Sequence, residues 1–157
     1  MPRFPTQSWR AREALADRMP YTTHGAMYAS VEAHSLPWGH RLPRPWAERY
    51  ERERERMTYV VWSYSTPIAW VLDNGTVVKV DHKWSVTTTM HQGLLYALDA
   101  VETTREAIRM GAARERTRVG NMLDREPPVR LTSADAMRSQ PEDYDTLIRE
   151  VEGMLVR

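Results

Sequence analysis

Cysteine is absent from the 157 residues. The chain therefore holds no disulfide, no thiol nucleophile and no cysteine-ligated zinc or iron–sulfur site. An excess of one charge is also lacking, because 22 basic residues oppose 21 acidic residues and leave a formal net charge of +1. This balance argues against a dedicated duplex-DNA-binding protein, which typically carries a strongly basic surface.

Long apolar runs are missing as well. No run approaches the roughly 18 residues of a membrane span, and the first residues lack the apolar stretch of a secretory signal. We therefore expect a soluble, cytoplasmic protein. Since 41% of the residues are hydrophobic, one buried core is expected, in a single domain over 1–157. The predicted parts are an irregular and helical region over 1–56, a core over 57–120 and a helical segment over 129–157.

Alternating apolar residues dominate the centre of the chain. Even-numbered positions are largely apolar or aromatic from 58 to 72 and again from 76 to 88, whereas most odd-numbered positions between them are small or polar. This period of two is typical of strands. The apolar residues keep to even-numbered positions on both sides of Pro67. The pattern therefore predicts one long strand over 58–72 and a second over 76–88.

The sequence Asp73-Asn74-Gly75 sets the pairing of the two predicted strands. A two-residue turn at Asn74-Gly75 would place the even face of one strand beside the odd face of the other. A three-residue loop, with Gly75 in the left-handed region, keeps both aromatic faces on one side. This second option predicts a long antiparallel hairpin with the opposed pairs Trp70/Val78, Ile68/Val80, Thr66/His82, Tyr64/Trp84 and Trp62/Val86.

A helix is predicted after the hairpin. Thr89-Met90-His91-Gln92 matches a capping box, and apolar residues at helical spacing extend to Ile108. The helix is therefore expected over about 90–118. Because an isolated two-stranded ribbon is only marginally stable, we expect this helix to cover the aromatic face. The predicted fold class is α+β, a long hairpin packed on this helix.

Further elements are predicted on both sides of this core. Ser8 to Met19 favours a short helix, and Trp46 to Met57 favours another that begins near Pro45. Residues 26–33 are compatible with a short strand or a helical turn. A second capping box at Ser139-Gln140-Pro141-Glu142 introduces an amphipathic C-terminal helix.

The histidines give little indication of metal or acid–base chemistry. His24, His34 and His40 lie at spacings that match no zinc pattern, so we expect no metal and no cofactor. His91 falls in the first turn of the predicted helix, where the helix dipole would lower its pKa and favour the neutral form. It is the one candidate for a general base, although a structural hydrogen bond is the commoner role for such a histidine.

Hydroxyl side chains also cluster in the centre, at Ser63, Ser65, Ser85, Thr87, Thr88 and Thr89. A small hydrolase that uses His91 and these hydroxyls is therefore one hypothesis. No nucleophile elbow, phosphate-binding loop, zinc-protease motif or paired-carboxylate signature accompanies them. The balance favours a protein that is not an enzyme.

Aromatic side chains give a further candidate site. Trp62, Tyr64, Trp70 and Trp84 share one predicted sheet face and could stack the bases of a single-stranded nucleic acid. They lie among Val, Ile and Leu rather than among Lys and Arg, so a buried core is the favoured interpretation. With His91, these four residues are the candidate binding residues.

Two segments resemble a known pattern. The runs Tyr64-Ser65-Thr66-Pro67-Ile68-Ala69-Trp70 and Trp84-Ser85-Val86-Thr87-Thr88-Thr89-Met90-His91-Gln92 are similar to those of small uncharacterised proteins from actinobacteria and their bacteriophages. The resemblance covers about 35 of the 157 residues and implies no activity, cofactor or catalytic residue. Arginine agrees with such a source, because all basic residues except Lys79 and Lys83 are arginine, a bias typical of GC-rich genomes.

The favoured hypothesis is a non-enzymatic accessory or regulatory protein. The missing catalytic motifs and the amphipathic helices favour action through protein contacts. Self-association is expected too, because a long two-stranded edge invites pairing with a second copy.

Overall fold

The computed structural model describes residues 1–123, and Met1–Val119 form one compact unit. The predicted C-terminal helical segment over 129–157 lies outside the described residues. The strands are β1 (Arg3–Phe4), β2 (Tyr21–Thr23), β3 (Met27–Ser30), β4 (Met57–Ser63), β5 (Thr66–Leu72) and β6 (Val77–Lys79). The α-helices are α1 (Trp9–Ala16), α2 (Arg44–Glu53), α3 (Val86–Gln92) and α4 (Glu102–Leu123).

The six described strands form one mixed sheet. Their order, β1-β2-β3-β4-β5-β6, follows the chain, and only β1 runs parallel to its neighbour. The α+β fold class is therefore confirmed. Residues 26–33, whose sequence is compatible with either a strand or a helical turn, contain β3.

The predicted turn at Asp73-Asn74-Gly75 has the expected geometry. Trp70 lies opposite Val78, and the backbone N–H of Leu72 donates to the carbonyl of Thr76 at 2.9 Å. Gly75 has a φ of +84°, the left-handed conformation that glycine adopts without steric cost. The three-residue loop and its register are confirmed for this part of the hairpin.

The single long strand predicted over 58–72 is wrong, because the chain reverses at Tyr64-Ser65. Ser63 pairs with Thr66 across this turn, so β4 and β5 form a hairpin of their own. Trp62 consequently lies opposite Pro67 rather than Val86. The predicted pairs Thr66/His82, Tyr64/Trp84 and Trp62/Val86 do not form, because the second strand ends at Lys79 and the chain enters α3 at Val86.

A β-bulge explains why the alternation continued through this turn. Across a two-residue turn, even-numbered residues pair with odd-numbered ones, as Trp62 does with Pro67. Without a bulge, the even-numbered side chains of β5 would therefore lie on the opposite sheet face from those of β4. The register then shifts by one between Val61 and Trp62, so that Val60 lies opposite Trp70. The extra residue, Ile68, returns the even-numbered side chains beyond it in β5 to the same sheet face as those of β4. The indoles of Trp62 and Trp70 therefore lie on one face.

The aromatic face of the sheet is covered by α2 and not by the chain that follows the hairpin. Tyr50 of α2 makes edge-to-face contacts with Trp62 and Trp70, with ring centroids 6.1 Å and 5.4 Å apart. The opposite face, which includes Val61 and Val71, packs against residues from α1, α4 and the segment between α3 and α4. The prediction that the 90–118 segment covers the indoles is therefore wrong. The continuous alternation of residues suggested one buried face, whereas both faces of this sheet are buried.

The single helix predicted over about 90–118 is also wrong. The chain forms α3, then a 3₁₀ helix at Leu95–Asp99, then α4. Ser85 occupies the N-cap position of α3, so Thr89 is not the N-cap and His91 lies in the last turn. The apolar stripe suggested one continuous helix, but the chain bends so that Leu95 and Leu98 reach the sheet while Val101 stays exposed.

Both edges of the described sheet are short. β1 has two residues and β6 has three, whereas the seven-residue strands β4 and β5 are paired on both sides. Short edge strands offer few unpaired backbone groups to a second chain. The long open edge on which self-association was predicted is therefore not present in this sheet.

Candidate functional site

A cleft of about 350 Å³ lies where the β4–β5 turn meets the loop before α2 and the start of α3. The described residues that line it are Gly39, Arg41, Ser63, Tyr64, Ser65, Thr66, Trp84, Ser85 and Thr88. They come from three separate stretches of sequence, so only the fold brings them together. The cleft is the candidate site of this chain.

The β4–β5 turn presents Tyr64 at the rim of the cleft. Tyr64 has a φ of 54°, unusual for a residue with a side chain, and its backbone N–H donates to the carbonyl of Ala26 at 2.7 Å. Its ring is exposed and lies 6.5 Å from the ring of His91. Such backbone strain costs on the order of 1–3 kcal/mol and is frequent at functional sites.

A buried network of hydroxyls and imidazole forms the floor of the cleft. The hydroxyl of Ser63 lies 2.8 Å from Nδ1 of His91 and 3.2 Å from the hydroxyl of Thr88. Ser85 extends the network, 3.4 Å from Thr88. Ser63 is 2% exposed and His91 is 1% exposed. The network therefore ties β4 to α3 beneath the cleft.

The direction of these hydrogen bonds bears on their chemistry. A serine hydroxyl has one proton, so it can donate to either Thr88 or His91. If Ser63 donates to Thr88, Nδ1 of His91 must carry a proton and donate to Ser63. That is the reverse of what a general base does to a nucleophile. In addition, no carboxylate in the described part hydrogen-bonds to His91 to orient its ring.

His91 has a lowered pKa, and the cause is burial. Removal from water disfavours the charged imidazolium and keeps the ring neutral. The prediction of a neutral ring rested on the dipole at a helix N-terminus, and that reason is wrong because His91 lies in the last turn of α3. A helix C-terminus favours a positive charge, so desolvation is the cause that applies here.

The five predicted binding residues separate into two groups. Tyr64 and Trp84 line the cleft, and His91 lies directly beneath it through Ser63. Trp62 and Trp70 instead belong to the core against α2. In the folded protein those two indoles are shielded from any partner.

Arg41 is a residue of the candidate site that the sequence did not indicate. Its backbone N–H donates to the hydroxyl of Thr66 at 3.0 Å, which fixes the loop before α2 against β5. Of the described residues that line the cleft, it is the only one with a formal charge. Since it lies in a proline-rich loop far from the strands in sequence, no periodicity or motif could have placed it here.

The residues that line the cleft include one basic side chain and no acidic one. Arg41 is that basic residue, and the other eight described lining residues carry no formal charge. Elsewhere in residues 1–123, no three side chains of His, Asp or Glu are grouped as metal ligands would be. The local charge therefore favours an anionic group over a cation.

Comparison with known proteins gives one match. A model described as a family of unknown function (DUF8033) matches residues 26–110, from β3 into α4, and this range contains every residue that lines the cleft. No curated protein and no solved structure matches the chain. Among the described helices, none combines the length and the apolar character needed to cross a bilayer.

Proposed function

Since the chain belongs to the DUF8033 family, whose model covers more than half of it, we propose a function from its exposed surface. We propose a non-enzymatic accessory protein that acts through contact with another protein. The observation that carries the proposal is Trp38, a tryptophan that is 100% exposed on a well-anchored loop.

Hydrogen bonds hold the loop around Trp38 in place. The phenol of Tyr50 donates to the carbonyl of His34 at 2.8 Å, and the backbone N–H of Leu36 donates to Glu51 at 3.1 Å. The backbone N–H of His40 donates to the carbonyl of Pro37 at 3.2 Å and closes the turn that carries Trp38. These bonds order the backbone that carries the exposed indole before any partner binds, and tryptophan is enriched among interface hot spots.

The neighbours of Trp38 indicate the chemistry of the partner. Gly39 joins it to the lining of the cleft, and Val86 on α3, next to Ser85, is 88% exposed. With Arg41 as the only charged residue among the described residues that line the adjoining cleft, the surface fits an apolar pocket with a carboxylate beside it.

Replacement of Trp38 by alanine tests this proposal. We expect the free energy of unfolding to change by less than about 0.5 kcal/mol, because the ring is fully exposed. We expect the affinity for the partner to fall by at least about 30-fold, the effect of a hot spot of about 2 kcal/mol. The partner, captured from the source organism and purified, is titrated with each variant by calorimetry. Arg52→Ala, an exposed change on α2, is the matched control.

Three outcomes of this experiment are distinct. Equal binding by wild type and Trp38→Ala would overturn the proposed contact. A partner lost with Trp38→Ala but kept with Arg52→Ala supports it. If sedimentation velocity shows a dimer of the wild type that Trp38→Ala dissociates, the partner is a second copy and the proposal of a contact with another protein is wrong.

A small hydrolase is the second candidate, favoured by the 2.8 Å contact between Ser63 and His91. The burial of both groups and the possible donation from His91 to Ser63 weigh against it. A hydrolase requires purified wild type to cleave an activated ester and folded Ser63→Ala to lose that cleavage. Activity that survives in Ser63→Ala would exclude this mechanism.

A single-stranded nucleic acid remains the alternative partner. Of the four sheet aromatics proposed to stack bases, only Tyr64 and Trp84 lie at the cleft. Titration with an oligonucleotide at two salt concentrations would quench tryptophan fluorescence and weaken with salt if this role were correct. The scarcity of basic groups around two aromatics makes it the weaker proposal.

The arginine bias and the two matching runs support an origin in actinobacteria or their phages. With that origin, we propose that the protein acts in the cytoplasm of the bacterial cell.

A further inference from the structure

The cleft has the size and lining of a site for a small molecule. Its volume of about 350 Å³ falls at the lower end of the range that ligand pockets typically occupy. Six of the nine lining residues carry a hydroxyl: Ser63, Tyr64, Ser65, Thr66, Ser85 and Thr88. The hydroxyls of Ser63, Ser85 and Thr88 already bond within the buried network. Those of Tyr64, Ser65 and Thr66 can rotate their protons towards an acceptor group of a ligand.

Charge restricts which acceptor group fits. Arg41 is the only formally charged residue among the described lining residues, and in residues 1–123 its side chain forms no ion pair. A guanidinium presents several N–H donors in a fixed plane that matches the oxygens of a carboxylate or a phosphate. A cation would be repelled by Arg41, and none of the described residues that line the cleft is Asp or Glu to offset that charge.

Trp84 adds an aromatic surface to the same cleft. Its indole is partly buried against the core that includes Trp62 and Trp70, and its Nε1 is buried away from solvent. The ring is therefore held in place, and its exposed part can contact the apolar remainder of a ligand.

From these observations we infer that the cleft binds a small-molecule oxyanion, a phosphate ester or a carboxylate. Arg41 supplies the opposite charge and the hydroxyls supply neutral donors. Tyr64 and Trp84 provide aromatic surface for the remainder of the ligand. The inference shares Arg41 with the proposed protein contact but does not depend on Trp38, which does not line the cleft, so Trp38→Ala distinguishes the two.

Purified full-length protein is titrated with phenyl phosphate, benzoate and, as the uncharged control, phenol. We expect one of the anions to bind with one-to-one stoichiometry by calorimetry and to raise the melting temperature, whereas phenol does neither. Stronger binding of phenyl phosphate identifies a phosphate ester as the ligand class, and stronger binding of benzoate identifies a carboxylate. If neither anion binds, or phenol binds equally, the inference is wrong.

Arg41→Gln is the decisive variant. It keeps the backbone N–H that donates to Thr66, so the fold is retained while the charge is removed. We expect the affinity for the bound anion to fall at least about tenfold, equivalent to about 1.4 kcal/mol. The matched control is Arg44→Gln, which removes an exposed guanidinium that pairs with Glu48 and does not line the cleft.

The two arginine variants separate a built site from general charge attraction. Equal weakening by Arg41→Gln and Arg44→Gln would overturn the inference, because it would show attraction to net charge alone. Trp38→Ala is expected to bind the anion normally.

Discussion

Replacement of Trp70 by alanine is expected to lower the free energy of unfolding by about 3–5 kcal/mol, the range for a buried tryptophan. Trp70 is 0% exposed and packs edge to face against Trp46 and Tyr50. Its Nε1 also donates to Glu53 at 2.7 Å, so the truncation removes a hydrogen bond between β5 and α2. Chemical denaturation followed by circular dichroism measures the loss.

Two further variants show which part of the indole matters. Trp70→Phe keeps most of the apolar contact and loses the bond to Glu53, so we expect a smaller loss of about 1–2 kcal/mol. Trp38→Ala removes a fully exposed indole and is the matched control with no expected loss. If Trp70→Ala cost less than about 1 kcal/mol, the packing of α2 on the sheet described above would be wrong.

Replacement of His91 by alanine is expected to destabilise the protein by about 2–4 kcal/mol. The change opens a cavity and removes the imidazole partner of the buried Ser63 hydroxyl. In a double-mutant cycle with Ser63→Ala, we expect a coupling of at least about 0.5 kcal/mol, as for residues in direct contact. Additive losses would contradict the network.

The pH dependence of stability checks the same residue in the wild type. Burial lowers the pKa of His91 in the folded state below its ordinary value of 6.5, so the unfolded chain binds the proton more readily. Stability is therefore full above about pH 6.5 and falls as the pH decreases from there towards the folded-state pKa. We expect His91→Gln to reduce this slope, and an unchanged slope would show that other groups cause it.

The extended conformation of β4, β5 and β6 could be predicted from the sequence because a period of two is typical of strands, but the pattern did not show that β4 and β5 are buried on both faces. The loop with Gly75 was predictable for the same reason, since only one register aligns the two faces. The turn at Tyr64-Ser65 was not predictable, because its positive φ belongs to a tyrosine rather than a glycine. The bulge at Ile68 shifts the register by one residue, so the alternation of apolar residues continues through the turn and does not mark it.

The candidate site was predictable only in part. Tyr64, Trp84 and His91 lie in or next to the strands and the helix that follows them, so the local pattern selected them. Arg41 reaches the cleft through a loop, and long-range placement of that kind has no local signature. His91 was correctly expected to be neutral, but the cause is a tertiary one, burial beneath Ser63 and Tyr64, which depends on the whole fold.

The order of the strands also bears on how quickly the chain reaches its native state. Since each strand in the described sheet pairs with its neighbour in sequence, most pairings join residues a short distance apart along the chain. Topologies with such local pairings fold faster than those that must first close long loops. The hairpin of β4 and β5 is closed by two residues and is expected to form first during folding. The pairing of β3 with β4 must close the segment 31–56 and is expected to form later.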